Sequence, residues 1–219
     1  MILPAAGRGE RAGVDKLWVD VAGRPLIAHT LARVAANRSF SEVVVVCPEG
    51  RHDAVGELAR DLGISTLSCV PGGARRRDSV AAGLAAVAGA EIVVVHDAAR
   101  PLASPALMEA VIEAARRHGA ATAALPPVDT IKRVAAGMVR ETLPRSELVA
   151  VQTPQAFLTA LLRRAHSLRP EEDASDDCLL VEWLGEPVAV VPGEPRNRKF
   201  THLEDLEWLE RQLRGSVTP

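Results

Sequence analysis

Five short stretches of this 219-residue chain carry residue types suited to handling phosphates. The first is Pro4-Ala5-Ala6-Gly7-Arg8-Gly9-Glu10-Arg11-Ala12-Gly13-Val14-Asp15-Lys16. Its glycines and alanines let backbone N–H groups approach phosphate oxygens, and Arg11 and Lys16 supply the charge a triphosphate needs. No Gly-Lys-Ser/Thr follows, so it is not a Walker A loop. Gly7-x-Gly9-x-x-Ala12 matches the loose dinucleotide fingerprint, but that fingerprint should open a helix at once, and Gly13, Asp15, Gly23 and Pro25 keep this stretch looped. A nicotinamide site is therefore disfavoured; a surface loop with incidental basic residues stays open as the plainer alternative.

The second stretch, Gly72 to Ser79 (GGARRRDS), has glycines that permit close approach to a base or ribose. Asp78 and Ser79 either serve a ligand or cap a helix, and capping is the better reading in isolation. The third, His96-Asp97-Ala98-Ala99-Arg100-Pro101, puts a carboxylate after an apolar run, where it would hold Mg²⁺ on phosphates or close the strand as a structural pair with Arg100. The fourth comprises Asp129-Thr130-Ile131-Lys132 and Arg145, donors remote from any predicted core. The fifth, Arg196 to Thr201 (RNRKFT), reads as a basic strand before a terminal helix. Glu171, Glu172, Asp173, Asp176 and Asp177 form an acidic cluster expected to be mostly a solvated loop and helix N-terminus.

These stretches need a frame, and the hydrophobic pattern describes one. Glu42 to Cys47 and Glu91 to His96 are continuous β-branched runs, as in strands covered by helices on both faces. Shorter strands are expected at Ile2–Pro4, Thr66–Val70, Ala120–Leu125 and Pro187–Val191. Helices are expected at Pro25–Ala36, Arg51–Leu62, Asp78–Val87, Pro105–His118, Leu158–Ser167, Ser175–Gly185 and Leu203–Leu213, with Gly63, Gly119 and Gly185 near helix ends. The alternation predicts an α/β fold, a doubly wound, Rossmann-like, mostly parallel sheet. Such sheets bind ligands outside the carboxyl ends of their strands. Residues 126–150 break the rhythm with paired prolines, short apolar stretches and Gly137, and read as a projecting β-arm. Its apolar edges point to a homodimer, the alternative being a hairpin folded on its own domain.

Composition narrows the class further. Twenty-six Lys and Arg against 28 Asp and Glu give a formal charge of −2, which argues against a general nucleic-acid or membrane-surface binder. Only Lys16, Lys132 and Lys199 are lysines, so each survivor marks a place where a compact ammonium could be needed. Cys47, Cys69 and Cys178 are widely spaced, and the six histidines lack H-E-x-x-H spacing. No run approaches the ~20 apolar residues of a membrane span, and the start lacks a signal-peptide pattern. The expectation is a single cytoplasmic domain over 1–219.

Taken in order, PAAGRGER…DK, GGARRRDSV, HDAARP, PPVDTIKR, QTPQAF and NRKFTHLEDL resemble the 2-C-methyl-D-erythritol 4-phosphate cytidylyltransferases of the non-mevalonate isoprenoid pathway, over nearly the whole chain. The resemblance implies a nucleotidyltransferase-type fold and transfer of a cytidylyl group from CTP to the polyol phosphate, with pyrophosphate released; another acceptor such as ribitol 5-phosphate is the alternative. It implies that Arg11 and Lys16 stabilise the transition state and that Arg145 and Lys199 orient the incoming phosphate. Ala5, Ala6, Gly7, Gly9, Gly73 and Ser79 would hold CTP. Asp97, Arg100, Thr130 and Thr201 would bind the substrate, and Asp97 the Mg²⁺ or another divalent cation. The arm would cross to a second subunit, bringing Thr130 and Arg145 to the neighbour's site. Asp15 stands where the family usually has Pro, and an acid there is expected to lower the local positive potential.

Overall fold

The computed structural model describes residues 1–7 and 15–214. Seven strands form one sheet: β1 (Ile2–Pro4), β4 (Val43–Val46), β5 (Leu67–Val70), β6 (Ile92–Val95), β7 (Ala120–Leu125), β10 (Ala150–Leu158) and β11 (Ala189–Pro192), in the order β11-β7-β10-β6-β1-β4-β5. A small ribbon of β2 (Asp20–Val21) and β3 (Arg24–Pro25) and a hairpin of β8 (Lys132–Ala135) and β9 (Met138–Thr142) complete the strands. Each neighbouring pair in the main sheet is parallel except those made by β10, which runs antiparallel to both β6 and β7. The fold is thus the expected mostly parallel α/β type.

The continuous apolar strands are explained by their two covered faces. Leu3, Val43, Val45 and Val94 point into one core, packed with residues of α1 (Leu26–Ala35), α2 (His52–Asp61), α4 (Pro105–His118) and α7 (Leu206–Arg214). Ile2, Val44, Val46, Val93 and Val95 point into the other, with α3 (Arg76–Ala86), α5 (Thr159–Ser167) and α6 (Asp177–Trp183). Successive side chains alternate faces, so every valine of β4 is buried. No helix among the described residues is long and apolar enough to cross a membrane.

Three sequence expectations change. Strand β10 was not anticipated, because Gln152, Thr153, Pro154 and Gln155 break both hydrophobic periods. The glutamines are nonetheless buried, and Pro154 falls within a register irregularity against β7, where its missing N–H interrupts no regular ladder. Helix α3 begins two residues before the expected Asp78: Arg75 is the N-cap residue, and the Asp78 carboxylate accepts its backbone N–H at 3.1 Å. The RNRKFT stretch is no strand, since β11 ends at Pro192.

The segment read as an arm is a hairpin whose residues 132–142 are all exposed. Ala136 and Gly137 both have positive φ, the pairing a tight two-residue turn needs to match strand twist.

Glycine packing yields a paired prediction. A Cβ on Gly83 of α3 would stand 2.6 Å from Ile2 Cγ2 and 2.9 Å from Val46 Cγ2, so this helix touches the sheet through backbone. Gly83→Ala should destabilise, because overpacking costs about 1–3 kcal/mol and the gain in helix propensity is about 1 kcal/mol at most. On α2 a Cβ at Gly56 would meet only the tip of Arg60, 3.8 Å away. Gly56→Ala should therefore stabilise by roughly 0.5–1 kcal/mol. Urea unfolding checks both signs.

Candidate active site

The carboxyl ends of β1, β5 and β6 release their chains on the same side of the sheet, as parallel strands must, and a cavity of about 810 Å³ opens there. One wall is the backbone of Ala5, Ala6 and Gly7. It continues the sheet ladder, Ala5 N–H donating to Val46 O at 2.7 Å. Facing it is Gly72–Arg76 with Ser79. The two walls meet: a Cβ on Gly72 would lie 2.2 Å from Ala6 Cβ, and one on Gly73 would lie 2.4 Å from Asp78 Cβ. Ser79 Oγ accepts the Gly73 N–H at 3.2 Å, so it braces the glycine loop as well as lining the cavity.

Asp97 occupies the end of β6 and is the only acidic residue among the described residues lining the cavity. Lys199 Nζ donates to its Oδ2 at 2.7 Å; Arg100 Nε stands 3.7 Å from Oδ2 and Arg76 Nε 3.7 Å from Oδ1. Burial pushes the Asp97 carboxyl up, but Lys199, Arg76 and Arg100 outweigh it and hold the group well below the usual carboxylate range. It is an anion at any physiological pH.

The turn that aims Asp97 is held from behind by His96, which has no exposed surface. His96 Nε2 lies 3.0 Å from Arg100 O and Nδ1 3.1 Å from Thr153 Oγ1, while Thr153 Oγ1 accepts the Asp97 N–H at 3.0 Å. A carbonyl only accepts, so Nε2 carries the proton, and Nδ1 receives the threonine hydroxyl. Burial pushes the imidazole down to about 4, leaving it neutral.

Lys199 arrives from the far end of the sequence on an irregular strap. Gly193 N–H donates to Ala124 O at 2.7 Å, and Gln152 Oε1 accepts from Glu194 N at 3.2 Å and Asn197 Nδ2 at 3.2 Å. Asn197 Nδ2 also reaches Thr153 O at 2.7 Å, Arg100 Nη1 donates to Asn197 O at 2.8 Å, and Phe200 N–H donates to Ala99 O at 2.8 Å. Two of the residues that disguised β10, Gln152 and Thr153, are thus the ones that receive this strap. Lys16 lines the same cavity, its Nζ 3.4 Å from Phe200 O, and Thr201 closes the rim.

Among the anticipated residues, Ala5, Ala6, Gly7, Lys16, Gly73, Ser79, Asp97, Lys199 and Thr201 line one cavity. Arg100 does not; its guanidinium sits behind Asp97 and against the strap. Thr130 and Arg145 lie on the exposed arm segment, outside this cavity's lining. Gly9 and Arg11 lie outside the described residues. Asp15 is paired with Arg51 at 2.9 Å, and Arg51 lies over the Trp18 ring at 4.5 Å, so a cation offsets the acid next to Lys16.

Sequence reasoning missed Arg76 and Asp177. Asp177 is wholly buried rather than solvated, and it pairs with Arg76 at 2.8 Å. The arginine triplet was the available signal. The side chains of Arg75 and Arg77 bind backbone carbonyls of the 166–172 segment, whereas Arg76 turns to Asp97 and Asp177.

No group of three or more His, Cys, Asp or Glu that could hold a metal occurs among the described residues. A single ionised carboxylate does fit Mg²⁺, which is commonly held by one or two carboxylates with phosphate and water oxygens completing its shell.

The buried imidazole carries a pH prediction. Its folded value lies below the ordinary 6.5, so the unfolded chain takes up a proton first as pH falls. Stability should decline between pH 6.5 and about 4, by up to about 3 kcal/mol from this group. Asp97 adds little slope there, because most of its loss falls below the ordinary carboxylate value. Unfolding free energies across that range, with the His96 ring resonance followed by NMR, check this; a ring that titrates near 6.5 in the folded protein contradicts it.

Comparison with known proteins bears on the same residues. The model of the IspD family, 2-C-methyl-D-erythritol 4-phosphate cytidylyltransferase, matches residues 1–214. A relative of that name from Halalkalibacterium halodurans is 43% identical over 97% of this chain and 96% of its own. A bifunctional enzyme IspD/IspF from Anaeromyxobacter dehalogenans is 46% identical over 99% of this chain, which spans only 57% of that longer protein. The crystal structure of 2-C-methyl-D-erythritol 4-phosphate cytidylyltransferase from Thermus thermophilus superposes with a TM-score of 0.81 at 40% identity, covering 98% of both chains. A 4-diphosphocytidyl-2C-methyl-D-erythritol synthase from Anaerococcus prevotii gives 0.87 at 30% identity over 97% of this chain and 96% of its own. With sequence and fold matched across almost its entire length, the chain belongs to the 2-C-methyl-D-erythritol 4-phosphate cytidylyltransferase family.

Proposed function

We propose that this chain transfers the cytidylyl group of CTP to 2-C-methyl-D-erythritol 4-phosphate, giving 4-diphosphocytidyl-2-C-methyl-D-erythritol and pyrophosphate. The observation that carries the reading is the convergence of Lys16, Lys199 and Asp97 on one cavity walled by glycine and alanine backbone. An oxygen of the acceptor's phosphate attacks the α-phosphorus of CTP. The new P–O bond forms as the bond to the β-phosphate oxygen breaks, and pyrophosphate leaves with that electron pair. The nucleophile is already an anion, so the protein's work is to position two polyanions and to neutralise charge on the α-phosphoryl oxygens.

In this reading the Ala5–Gly7 and Gly72–Gly73 backbone and Ser79 hold the nucleotide, where side chains beyond Cβ would obstruct it. Lys16 faces the transferred phosphoryl group, and Arg11 is assigned to the same charge by the family resemblance alone. Lys199 orients the acceptor phosphate, with Thr201 beside it. Arg100 acts on the substrate through Asp97 and the strap rather than by contact. Asp97 is the residue that would hold Mg²⁺, which when bound screens the triphosphate charge.

We place Thr130 and Arg145 in the cavity of a second copy. Val128, Val134, Met138 and Val139 are strongly exposed on the arm, more apolar surface than a solvated hairpin needs, and burying it against a partner would form a homodimer. Free Cys47, Cys69 and Cys178 suit the reducing cytoplasm.

Purified protein assayed for Mg²⁺-dependent pyrophosphate release from CTP, with 2-C-methyl-D-erythritol 4-phosphate and with ribitol 5-phosphate as control acceptor, tests the assignment. Turnover with the first and not the second is expected. Lys16→Ala should keep the fold and lower turnover by on the order of 10²-fold or more. Lys16→Arg and Lys199→Arg should also impair it, since a planar guanidinium cannot replace a point donor at crowded phosphates. Wild-type rates in those variants contradict the roles.

The shared site makes a separate prediction. Lys16→Ala and Arg145→Ala homodimers should each be impaired. Mixed one to one under subunit exchange, half the dimers are hybrids with one intact site of two, so about a quarter of wild-type activity should return. No recovery would place Arg145 in its own subunit's site or outside any site.

A further inference from the structure

Asp177 is a carboxylate in the wrong place for a soluble helix start. It stands at the first turn of α6, where its neighbour Asp176 already caps the helix by accepting the Leu179 N–H at 3.0 Å. Only 1% of its side chain is exposed, and a buried charge costs several kcal/mol unless it is paired. Its partners are Arg76 Nη1 at 2.8 Å and His166 Nε2 at 3.3 Å.

Arg76 therefore lies between two carboxylates and treats them differently. It is in ion-pair contact with Asp177 through Nη1 but stands 3.7 Å from Asp97 Oδ1 through Nε. Its Nη2 is buried without a hydrogen-bond partner among the described residues. Lys199 engages the other oxygen of Asp97, Oδ2, at 2.7 Å. Among the described residues Asp177 is the ion-pair partner that draws Arg76 away from Asp97, and without it the guanidinium would close on Oδ1 in a two-pronged pair, the preferred geometry of arginine and carboxylate.

We infer that Asp177 is a positioning residue of the site: it holds the Arg76 guanidinium off Asp97, so that Oδ1 stays open to a ligand of the nucleotide complex while the positive charge remains at the cavity wall. The inference rests on the proposed function for the identity of that ligand, a nucleoside triphosphate with its divalent cation. It gives a buried acid that does not itself line the cavity a role in nucleotide binding, exerted wholly through Arg76.

A double-mutant cycle reads this coupling. Asp177→Asn keeps size and frees Arg76; it should weaken CTP binding by about tenfold, seen in calorimetry and as a raised KM for CTP, with kcat changed less than about threefold. Arg76→Met should weaken binding less, since Oδ1 stays open. In the Arg76→Met background, Asp177→Asn should then have no further effect. Wild-type CTP affinity in Asp177→Asn, or an equal loss in both backgrounds, overturns the inference. Should Asp177→Asn alone not fold, the double variant leaves neither charge buried unpaired. Its CTP affinity should equal that of Arg76→Met within about twofold, and a further loss overturns the coupling. Calorimetry reads CTP binding whether or not the acceptor is correctly assigned, so failure of wild-type turnover with the methylerythritol phosphate counts against the proposed function alone.

Discussion

The carboxylate of Asp97 is an anion almost withdrawn from water at the end of a buried strand, and that costs several kcal/mol unless cations replace the lost hydration. Lys199, Arg76 and Arg100 do so, from three separate parts of the chain. Each is constrained in turn. Lys199 is delivered by the strap on β10, Arg100 is tied to the Asn197 carbonyl, and Arg76 is held by Asp177. The cavity is organised around this one desolvated charge, and a surplus of cations is left facing the space where a triphosphate would sit.

The fold makes that arrangement possible because parallel strands deliver their loops to one edge. Strands β1, β5 and β6 bring the Ala5–Gly7, Gly72–Ser79 and Asp97–Arg100 segments together, and Gly72 lets two of these loops touch. The antiparallel β10 between β6 and β7 contributes nothing to that edge by direction. Its contribution is a buried polar row: Thr153 orients the Asp97 turn through His96, and Gln152 fastens the strap. A strand that looks poor by hydrophobic pattern is therefore the support of the site, its polar groups satisfied by specific partners rather than by water.

The rarity of lysine has a physical reading in this geometry. Arginines carry the structural work: Arg75 and Arg77 bind backbone carbonyls, Arg51 covers Asp15 and Trp18, and Arg100 bridges a turn to the strap. A five-donor fork suits such multivalent contacts. Lys16 and Lys199 instead present a compact charge to an open cavity, while Lys132 pairs with Thr142 on the arm.

Much of this was legible from residues alone. Runs such as EVVVVC and EIVVVH specified strands buried on both faces, prolines and glycines marked the helix ends and the arm, loop chemistry marked Lys16, Gly73 and Asp97, and the scarcity of lysine singled out Lys199. These are properties of residues close together in sequence, where periodicity and side-chain type decide conformation. What the sequence could not express was β10, the burial of Asp177, the retreat of Arg100 behind Asp97 and the choice of Arg76 from its triplet. Lys199 and Asp97 are 102 residues apart, and their contact exists because the strand order brings the strap over the end of β6. Only the tertiary structure decides such pairings, since a charge's partner and hydration are set by which distant segments pack around it, and no local pattern records that.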